Sequence, residues 1–235
     1  MMQTLGESAG PRIKGCRVRT STALRQMSRL GFDYAGIHAI ASLDDRILST
    51  VRSLADVVEG EALTIEPVLL TKVDTVATLA RALRETGVRW LQLHRTWSVD
   101  GLDVLLTALR TEVPNTRVIM LVDPEEGPSR ELVTEILDLV DFVILDHRQG
   151  GTGRLLDSYA LHRTLDVIPS NRVFLAGGIA PDNVASLVSS YRPYAVDAQS
   201  SLLGPDGDHD VNRLVAFAAA VRPPGVEGGA LRAVR

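Results

Sequence analysis

Short apolar runs alternate along this chain with longer stretches in which apolar residues recur at helical spacing. Several of the runs show little polar alternation, which is typical of strands that are covered on both faces. The predicted strands are RIKGCRV (12–18), YAGIHAI (34–40), LTIEPVLLT (63–71), RWLQLHR (89–95), RVIMLVD (117–123), DFVILDH (141–147), RVFLAGGI (172–179) and YAVDAQSSL (194–202).

The stretches between these runs predict helices. The clearest is VDTVATLARALRETG (73–87), in which Gly87 marks the stop. Its apolar residues share one helical face and comprise Val73, Val76, Leu79, Ala80 and Leu83. Further helices are predicted in STALRQMSRLG, SRELVTEILDLV, APDNVASLVSS and DHDVNRLVAFAAAVR, the last capped by Asp208 or Asp210.

Eight strands alternating with eight helices in a chain of 235 residues predict a (β/α)8 TIM barrel with a single domain. A doubly wound open sheet is the alternative, but it normally has fewer strands, and no GxGxxG follows the first one. We expect an N-terminal extension over 1–11, the barrel over 12–222, and a flexible tail rich in Pro and Gly over 223–235.

Composition narrows the class of function. The net charge of −4 argues against a nucleic-acid binder. A single cysteine cannot form an internal disulfide, which favours a reducing compartment. Neither a signal peptide nor an apolar run of membrane-spanning length stands out. We therefore expect a cytoplasmic protein that acts on a small molecule, with neither nucleic acid nor membrane as partner.

Barrel enzymes of this type carry their active sites at the C-terminal ends of the strands. Chemically useful side chains at those ends are Lys14, Cys16, His38, Gln92, His94, Asp123, Asp146, Asp197, Ser200 and Ser201. His38 and His94 belong to no HxH or HExxH pattern, so we expect both to be hydrogen bonded within the fold and neither to be a metal ligand.

Two glycine clusters lie at the same end, at 150–153 and at Gly177–Gly178. Tight glycine turns present backbone N–H groups to a phosphate, although either cluster could be an ordinary turn. Asp146 follows the apolar run FVIL, where partial desolvation raises a carboxyl pKa and suits a general acid. A helix cap or an ion-pair role for Asp146 is equally compatible with its position.

Several motifs together resemble phosphoribosylanthranilate isomerase. GGTGR (150–154), VFLAGGIAPDNV (173–184) and VDAQSSL (196–202) are similar, in the same order, to the GGTGK, LAGGLNPENV and VDVSSGVE motifs of that family. LQLH (91–94) is similar to its QLHG strand, and Arg46 to the arginine of its SPRYVS segment. The resemblance implies an aldose–ketose isomerase, an intramolecular oxidoreductase that needs no organic or metal cofactor, acting on a phosphorylated sugar as a monomer or homodimer.

The family's K-I-C-G motif, whose cysteine is the catalytic base, can be matched in two ways. Aligning the glycines places Lys14 in the cysteine's position, whereas aligning Lys-x-Cys places Cys16 there. The fifteen residues from Cys16 to Gly31 equal the family's spacing, so the second register needs no gap and is favoured.

In that register the resemblance implies that Cys16 is the base, with Lys14 as a supporting cation, and that Asp146 is the acid. The implied substrate-binding residues are Lys14, Arg46, Gln92, His94 and Asp197. The implied phosphate-binding residues are Gly151, Gly153, Gly177, Gly178, Ser200 and Ser201.

The chain departs from the family pattern at Arg17, which replaces a glycine, at Arg95 after QLH, and at Leu203 in the SSGVE segment. Three hypotheses follow. The first is phosphoribosylanthranilate isomerase, in tryptophan biosynthesis or as a paralogue in a specialised pathway. The second is a sugar-phosphate lyase or aldolase that uses Lys14 as a Schiff base. The third is a non-catalytic phosphate-binding relative.

Overall fold

The computed structural model describes residues 10–150 and 153–223, in which eight parallel strands close a barrel in chain order. The strands are β1 (Arg12–Cys16), β2 (Tyr34–His38), β3 (Glu66–Thr71), β4 (Trp90–Leu93), β5 (Arg117–Val122), β6 (Phe142–Leu145), β7 (Val173–Leu175) and β8 (Ala195–Ala198). The helices are α1 (Ser21–Arg29), α2 (Asp45–Gly60), α3 (Val76–Thr86), α4 (Val99–Glu112), α5 (Arg130–Leu139), α6 (Ser158–Leu165), α7 (Val184–Tyr191) and α8 (Val211–Val221). The predicted (β/α)8 single-domain fold is confirmed.

The helix pattern read from the sequence matches the packing of α3. Leu79, Ala80 and Leu83 are buried against the barrel, and Val73 and Val76 pack beside them. The helix ends at Gly87, whose φ of 70° is a conformation that glycine adopts without strain. At α8 the cap is Asp210, which accepts a hydrogen bond from the Arg213 N–H, so the choice between Asp208 and Asp210 is settled.

Strand ends are where the sequence-based prediction was wrong. β1 stops at Cys16 because Arg17 takes a left-handed φ of 68°. β8 stops at Ala198, and Ser200–Leu202 form a 3-10 turn instead of continuing the strand. Both departures lie at the C-terminal end of the barrel, where the chain turns outward into loops.

An aromatic cluster fills the opposite end of the barrel. Tyr34, Trp90 and Phe142 are the first residues of β2, β4 and β6, and they pack with Phe174 and Tyr194. The Phe142 and Tyr194 ring centroids are 4.4 Å apart, and the Tyr34 and Tyr194 hydroxyls are 2.7 Å apart. Among the described residues, these side chains fill the N-terminal end of the barrel, which leaves the C-terminal end for the entry of a ligand.

Parts of the sequence-based prediction fall beyond the described ranges. Gly151, residues 1–9 of the proposed extension and residues 224–235 of the proposed tail all lie outside them. The proposed boundaries of the barrel therefore stay a prediction. Within the described ranges, no helix combines the length and apolar character needed to cross a membrane.

Candidate active site

A cavity of about 220 Å³ opens at the C-terminal end of the barrel. Most of the residues proposed from the sequence line it. They are Cys16, His38, Gln92, His94, Asp146, Gly153, Gly177, Gly178, Asp197 and Ser200. This space is called the barrel-mouth cavity below.

The side chains of Lys14 and Cys16 both point into the barrel from β1, whereas Gly15, between them, faces the helix layer. A Cβ at Gly15 would lie 2.6 Å from Met27 Cε, so a larger residue here would have to displace the end of the Met27 side chain. Lys14 pairs in register with Asp197 of β8, and its Nζ lies 2.8 Å from Asp197 Oδ2 and 3.4 Å from Cys16 Sγ. The floor of the cavity is thus an ion pair with the thiol beside it.

The charges on this floor follow from its burial. Burial lowers the pKa of Lys14, but the attractions of Asp197 and then of Cys16 together outweigh burial, and that pKa is raised. Lys14 therefore stays an ammonium. Burial raises the pKa of the Cys16 thiol to about 12, against the attraction of Lys14. In the free protein at neutral pH the sulfur is a thiol.

Asp146 follows the last residue of β6 and has the features of a general acid. Burial, followed by repulsion from Asp197, raises the pKa of Asp146 to about 7. Its Oδ1 accepts a hydrogen bond from the His147 N–H at 2.8 Å. A substantial fraction of Asp146 is therefore protonated at neutral pH, and the carboxyl faces the same cavity as the thiol.

The cavity also contains buried polar atoms that have no partner. Gln92 Oε1, His94 Nδ1 and Asp197 Oδ1 are buried and have no hydrogen-bond partner in the part of the chain that the structure describes. Such atoms are rare in folded proteins and are explained when a ligand supplies the missing hydrogen bonds. Burial, followed by the charge of Lys72, lowers the pKa of His94 to about 4, so its ring is neutral. Among the described residues His94 Nδ1 has no partner, whereas His38 is hydrogen bonded to Cys16, so the expectation for His94 stays a prediction.

The loops after β6, β7 and β8 converge on one side of the cavity. Gly177 and Gly178 both have positive φ, and a Cβ at Gly178 would lie 2.5 Å from the backbone of Arg154 and Leu155. A Cβ at Gly153 would lie 3.4 Å from Ser200 Oγ. At Gly178 only glycine permits this close approach of the loops after β6 and β7, and Gly153, Gly177, Gly178 and Ser200 all line the cavity.

Three predicted positions lie elsewhere. Arg46 is exposed in the first turn of α2 and does not line the cavity. The Ser201 hydroxyl donates to the Ile179 carbonyl at 2.7 Å and so ties two loops together. Asp123 accepts hydrogen bonds from the Glu125 and Arg148 N–H groups and stabilises the loops after β5 and β6.

Sequence reasoning missed other residues that line the cavity. Lys72 directly follows β3, and Gln199 directly follows β8. Both residues line the cavity. Their position just after a barrel strand was the available signal. Arg95, by contrast, pairs with Asp74 and stacks on Trp97. Its charge is therefore directed to a neighbouring side chain outside the cavity lining.

The backbone at Arg17 supports the register that aligns Cys16 with the family's cysteine. Arg17 has a φ of 68°, a conformation that glycine adopts freely and that is strained for residues with a Cβ. The family's motif has glycine at this position. Arg17 thus has a backbone conformation that a glycine at this position would adopt without strain.

Replacing Arg17 by glycine is expected to stabilise the fold by up to about 1 kcal/mol, because the left-handed strain is removed. Urea denaturation measures the change in the free energy of unfolding. Arg19→Gly is the matched control, since Arg19 is exposed and does not have a positive φ. Equal destabilisation of both variants would contradict the strain at Arg17.

Comparison with known proteins gives a consistent result. The family model of N-(5'-phosphoribosyl)anthranilate (PRA) isomerase matches residues 13–220. A PRA isomerase of Haloferax volcanii is 30% identical over 217 residues, which cover 90% of this chain and 93% of the relative. PRA isomerase 2 of Methanosarcina mazei is 29% identical over 158 residues, covering 65% of this chain and 68% of the relative.

Solved structures agree with the fold. TrpF from Jonesia denitrificans superposes with a TM-score of 0.69 at 26% identity, covering 90% of this chain and 97% of that one. A PRA isomerase in complex with reduced 1-(o-carboxyphenylamino)-1-deoxyribulose 5-phosphate gives a TM-score of 0.66 at 18% identity, covering 90% and 98%. At that identity the second match shows the shared barrel only.

Proposed function

Since the chain belongs to the N-(5'-phosphoribosyl)anthranilate isomerase family, we propose that it rearranges N-(5'-phosphoribosyl)anthranilate to 1-(2-carboxyphenylamino)-1-deoxyribulose 5-phosphate. The observation that carries this proposal is the pairing of a protonatable carboxyl, Asp146, with a thiol, Cys16, around one cavity. The Amadori rearrangement needs one acid and one base, and these two groups supply them.

Asp146 acts first, as the acid. It donates its proton to the ring oxygen of the phosphoribosyl group, the bond between that oxygen and C1′ breaks, and the nitrogen lone pair forms the iminium. A carboxyl whose pKa is about 7 suits this step because its protonated and ionised forms are both accessible near neutral pH. The resulting carboxylate remains beside the cavity for the return of a proton.

Cys16 acts second, as the base. Its thiolate takes the proton from C2′, and the C2′–H electrons form the enaminol, which tautomerises to the ketoamine product. The Lys14 ammonium, 3.4 Å from the sulfur, favours the thiolate. Lys14 is itself fixed by Asp197, so it supports the base without reaching the substrate.

The remaining predicted residues hold the substrate. Gly153, Gly177, Gly178 and Ser200 surround the side of the cavity that suits the phosphate. Gln92 and His94 offer unpaired polar atoms to the sugar or the aryl group. The roles of Gly151 and Ser201 in phosphate binding and of Arg46 in substrate binding stay predictions. For Ser201 such a role has to come from the backbone, because its hydroxyl is occupied.

The burial of Lys14 argues against the alternative of a Schiff-base lyase. A Schiff base needs a neutral, accessible amine, whereas the Lys14 side chain is fully buried in an ion pair with a raised pKa. Borohydride reduction in the presence of substrate is therefore expected to leave Lys14 unmodified. A cytoplasmic location and a monomeric or homodimeric state stay predictions.

A negative charge introduced at the proposed phosphate side of the cavity tests whether that side binds the phosphate of the substrate. Ser200→Asp is expected to raise the Kd for reduced 1-(o-carboxyphenylamino)-1-deoxyribulose 5-phosphate at least about tenfold relative to Ser200→Asn, because a carboxylate repels the phosphate. Titration calorimetry measures both constants. Asn matches Asp in shape, so the comparison isolates the charge. Equal affinities would exclude Ser200 from the phosphate side.

A further inference from the structure

The thiol assigned as the base lies in surroundings that disfavour its active form. Cys16 is 3% exposed, and burial raises its pKa to about 12. A base must be a thiolate when the C2′ proton is removed. The protein therefore needs groups that stabilise negative charge on this sulfur.

Lys14 supplies part of that stabilisation, and the Arg17 backbone N–H adds to it. Lys14 Nζ lies closer to Asp197 Oδ2, at 2.8 Å, than to Cys16 Sγ, at 3.4 Å. The Asp197 carboxylate offsets the charge of Lys14 and itself raises the pKa of Cys16. The Asp197 carboxylate thus offsets part of the effect of Lys14 on the sulfur, and a further side-chain donor to the thiolate adds to its stabilisation.

His38 occupies the position of that donor. Its Nε2 lies 3.1 Å from Cys16 Sγ, closer than Lys14 Nζ. Cys16 pairs in register with Gly36 of β2, and a Cβ at Gly36 would lie 2.7 Å from the sulfur. Gly36 therefore makes room for the sulfur, and His38, two residues further along the same face of β2, contacts it.

We propose that His38 is a positioning residue that activates Cys16: it holds the sulfur through Nε2 and, together with Lys14, stabilises the thiolate. This inference rests on the proposed function, in which Cys16 is the base. We assign the proton of the neutral ring to Nε2, from which it is donated as a hydrogen bond to the thiolate. The proton removed from C2′ ends on the sulfur, and His38 keeps its own proton throughout.

The charges around His38 keep it a neutral donor. Burial, followed by the positive charge of Lys14, lowers the pKa of His38 to about 3, and His94, Arg17 and Arg19 act in the same direction. From the loop before α8, His209 Nε2 lies 3.1 Å from the Cys16 carbonyl oxygen, so that ring contacts the backbone and leaves the sulfur to His38. The Asp197 carboxylate offsets the positive charge of Lys14, but it has no net charge on the neutral His38 ring to offset.

The single cysteine of the chain makes the inference directly measurable. The rate of alkylation by iodoacetamide, followed across pH below the thiol midpoint, reports the thiolate of Cys16 alone, with Cys16→Ser as the blank. His38→Leu removes the donor and is expected to raise the thiol pKa by about 1 unit. Alkylation then slows about fourfold, since higher intrinsic nucleophilicity partly offsets the tenfold loss of thiolate.

Two variants separate activation from a structural role. His38→Gln keeps an amide N–H near the position of Nε2 and is expected to restore most of the alkylation rate and of kcat. His94→Leu removes another neutral histidine of the same cavity and is expected to alkylate at the native rate. In His38→Leu, kcat is expected to fall about tenfold with little change in KM.

Native alkylation in His38→Leu, or equal slowing in the Leu and Gln variants, would overturn the role of His38. Because alkylation needs no substrate, this result is independent of whether the chain isomerises PRA. An enzyme that lacks isomerase activity but shows the alkylation difference would contradict the proposed function and leave the Cys16–His38 interaction established.

Discussion

Cys16→Ala is expected to lower kcat at least about 100-fold, because the variant has no group that can take the C2′ proton. The alanine methyl fits without displacing Gly36, over which the sulfur now lies. Lys14 cannot replace the lost base, since it stays an ammonium paired with Asp197. The fall in fluorescence as PRA is consumed measures the rate.

The Cys16→Ala variant has clear controls. Binding of the reduced product and the far-ultraviolet circular dichroism spectrum are both expected to remain native, because the sulfur has no part in holding the phosphate or the fold. A variant that binds the reduced product and turns over at a near-native rate would remove Cys16 from the mechanism.

Asp146→Asn is expected to lower kcat by a similar factor, at least about 100-fold, because an amide cannot protonate the ring oxygen. The pH dependence carries more information than the size of the loss. As pH rises through about 7, protonated Asp146 is lost while the thiolate of Cys16, whose pKa is about 12, increases. The two trends offset each other, so native kcat/KM rises with pH up to about 7 and then levels.

In Asp146→Asn that break disappears, and the residual kcat/KM continues to rise with pH. Initial rates measured at a series of pH values give both profiles. A native profile with no break near neutral pH, or a break that persists in the Asn variant, would exclude Asp146 as the titrating acid.

Stability provides the control for the Asn variant. The pKa of Asp146 is raised in the folded protein from 3.8 to about 7. Native stability therefore falls as pH rises towards about 7, where the buried carboxyl ionises. An amide has no such ionisation, so Asp146→Asn is expected to be at least as stable as the native protein above that pH. A loss of activity accompanied by unfolding would point to a structural role instead.

The barrel was predictable from sequence because continuous apolar runs indicate strands that are covered on both faces, and apolar stripes at helical spacing indicate helices that pack on the sheet. The ends of the strands were harder to predict, because a local change in backbone conformation ends each strand. Arg17 stops β1 through its left-handed backbone, and residue type alone favours glycine there. Ser200 and Ser201 read as strand in composition, yet they form a 3-10 turn.

The site was predictable as a set of residues but not as a set of contacts. The rule for barrel enzymes selected Cys16 and Asp146, and both line the cavity. The ion pair of Lys14 with Asp197 joins β1 to β8, and the contact of Cys16 with His38 joins β1 to β2. Such contacts depend on the register with which the barrel closes, which no local pattern along the chain specifies.

The proposed reaction is the isomerisation of PRA in the barrel-mouth cavity. It is tested most directly by adding the purified native protein to PRA generated in place from anthranilate and phosphoribosyl pyrophosphate, and by following the loss of PRA fluorescence. We expect catalysed loss of fluorescence, with formation of the carboxyphenylamino-deoxyribulose phosphate, that Cys16→Ala and Asp146→Asn each slow at least about 100-fold. Fluorescence that decays no faster than in the absence of protein would contradict it.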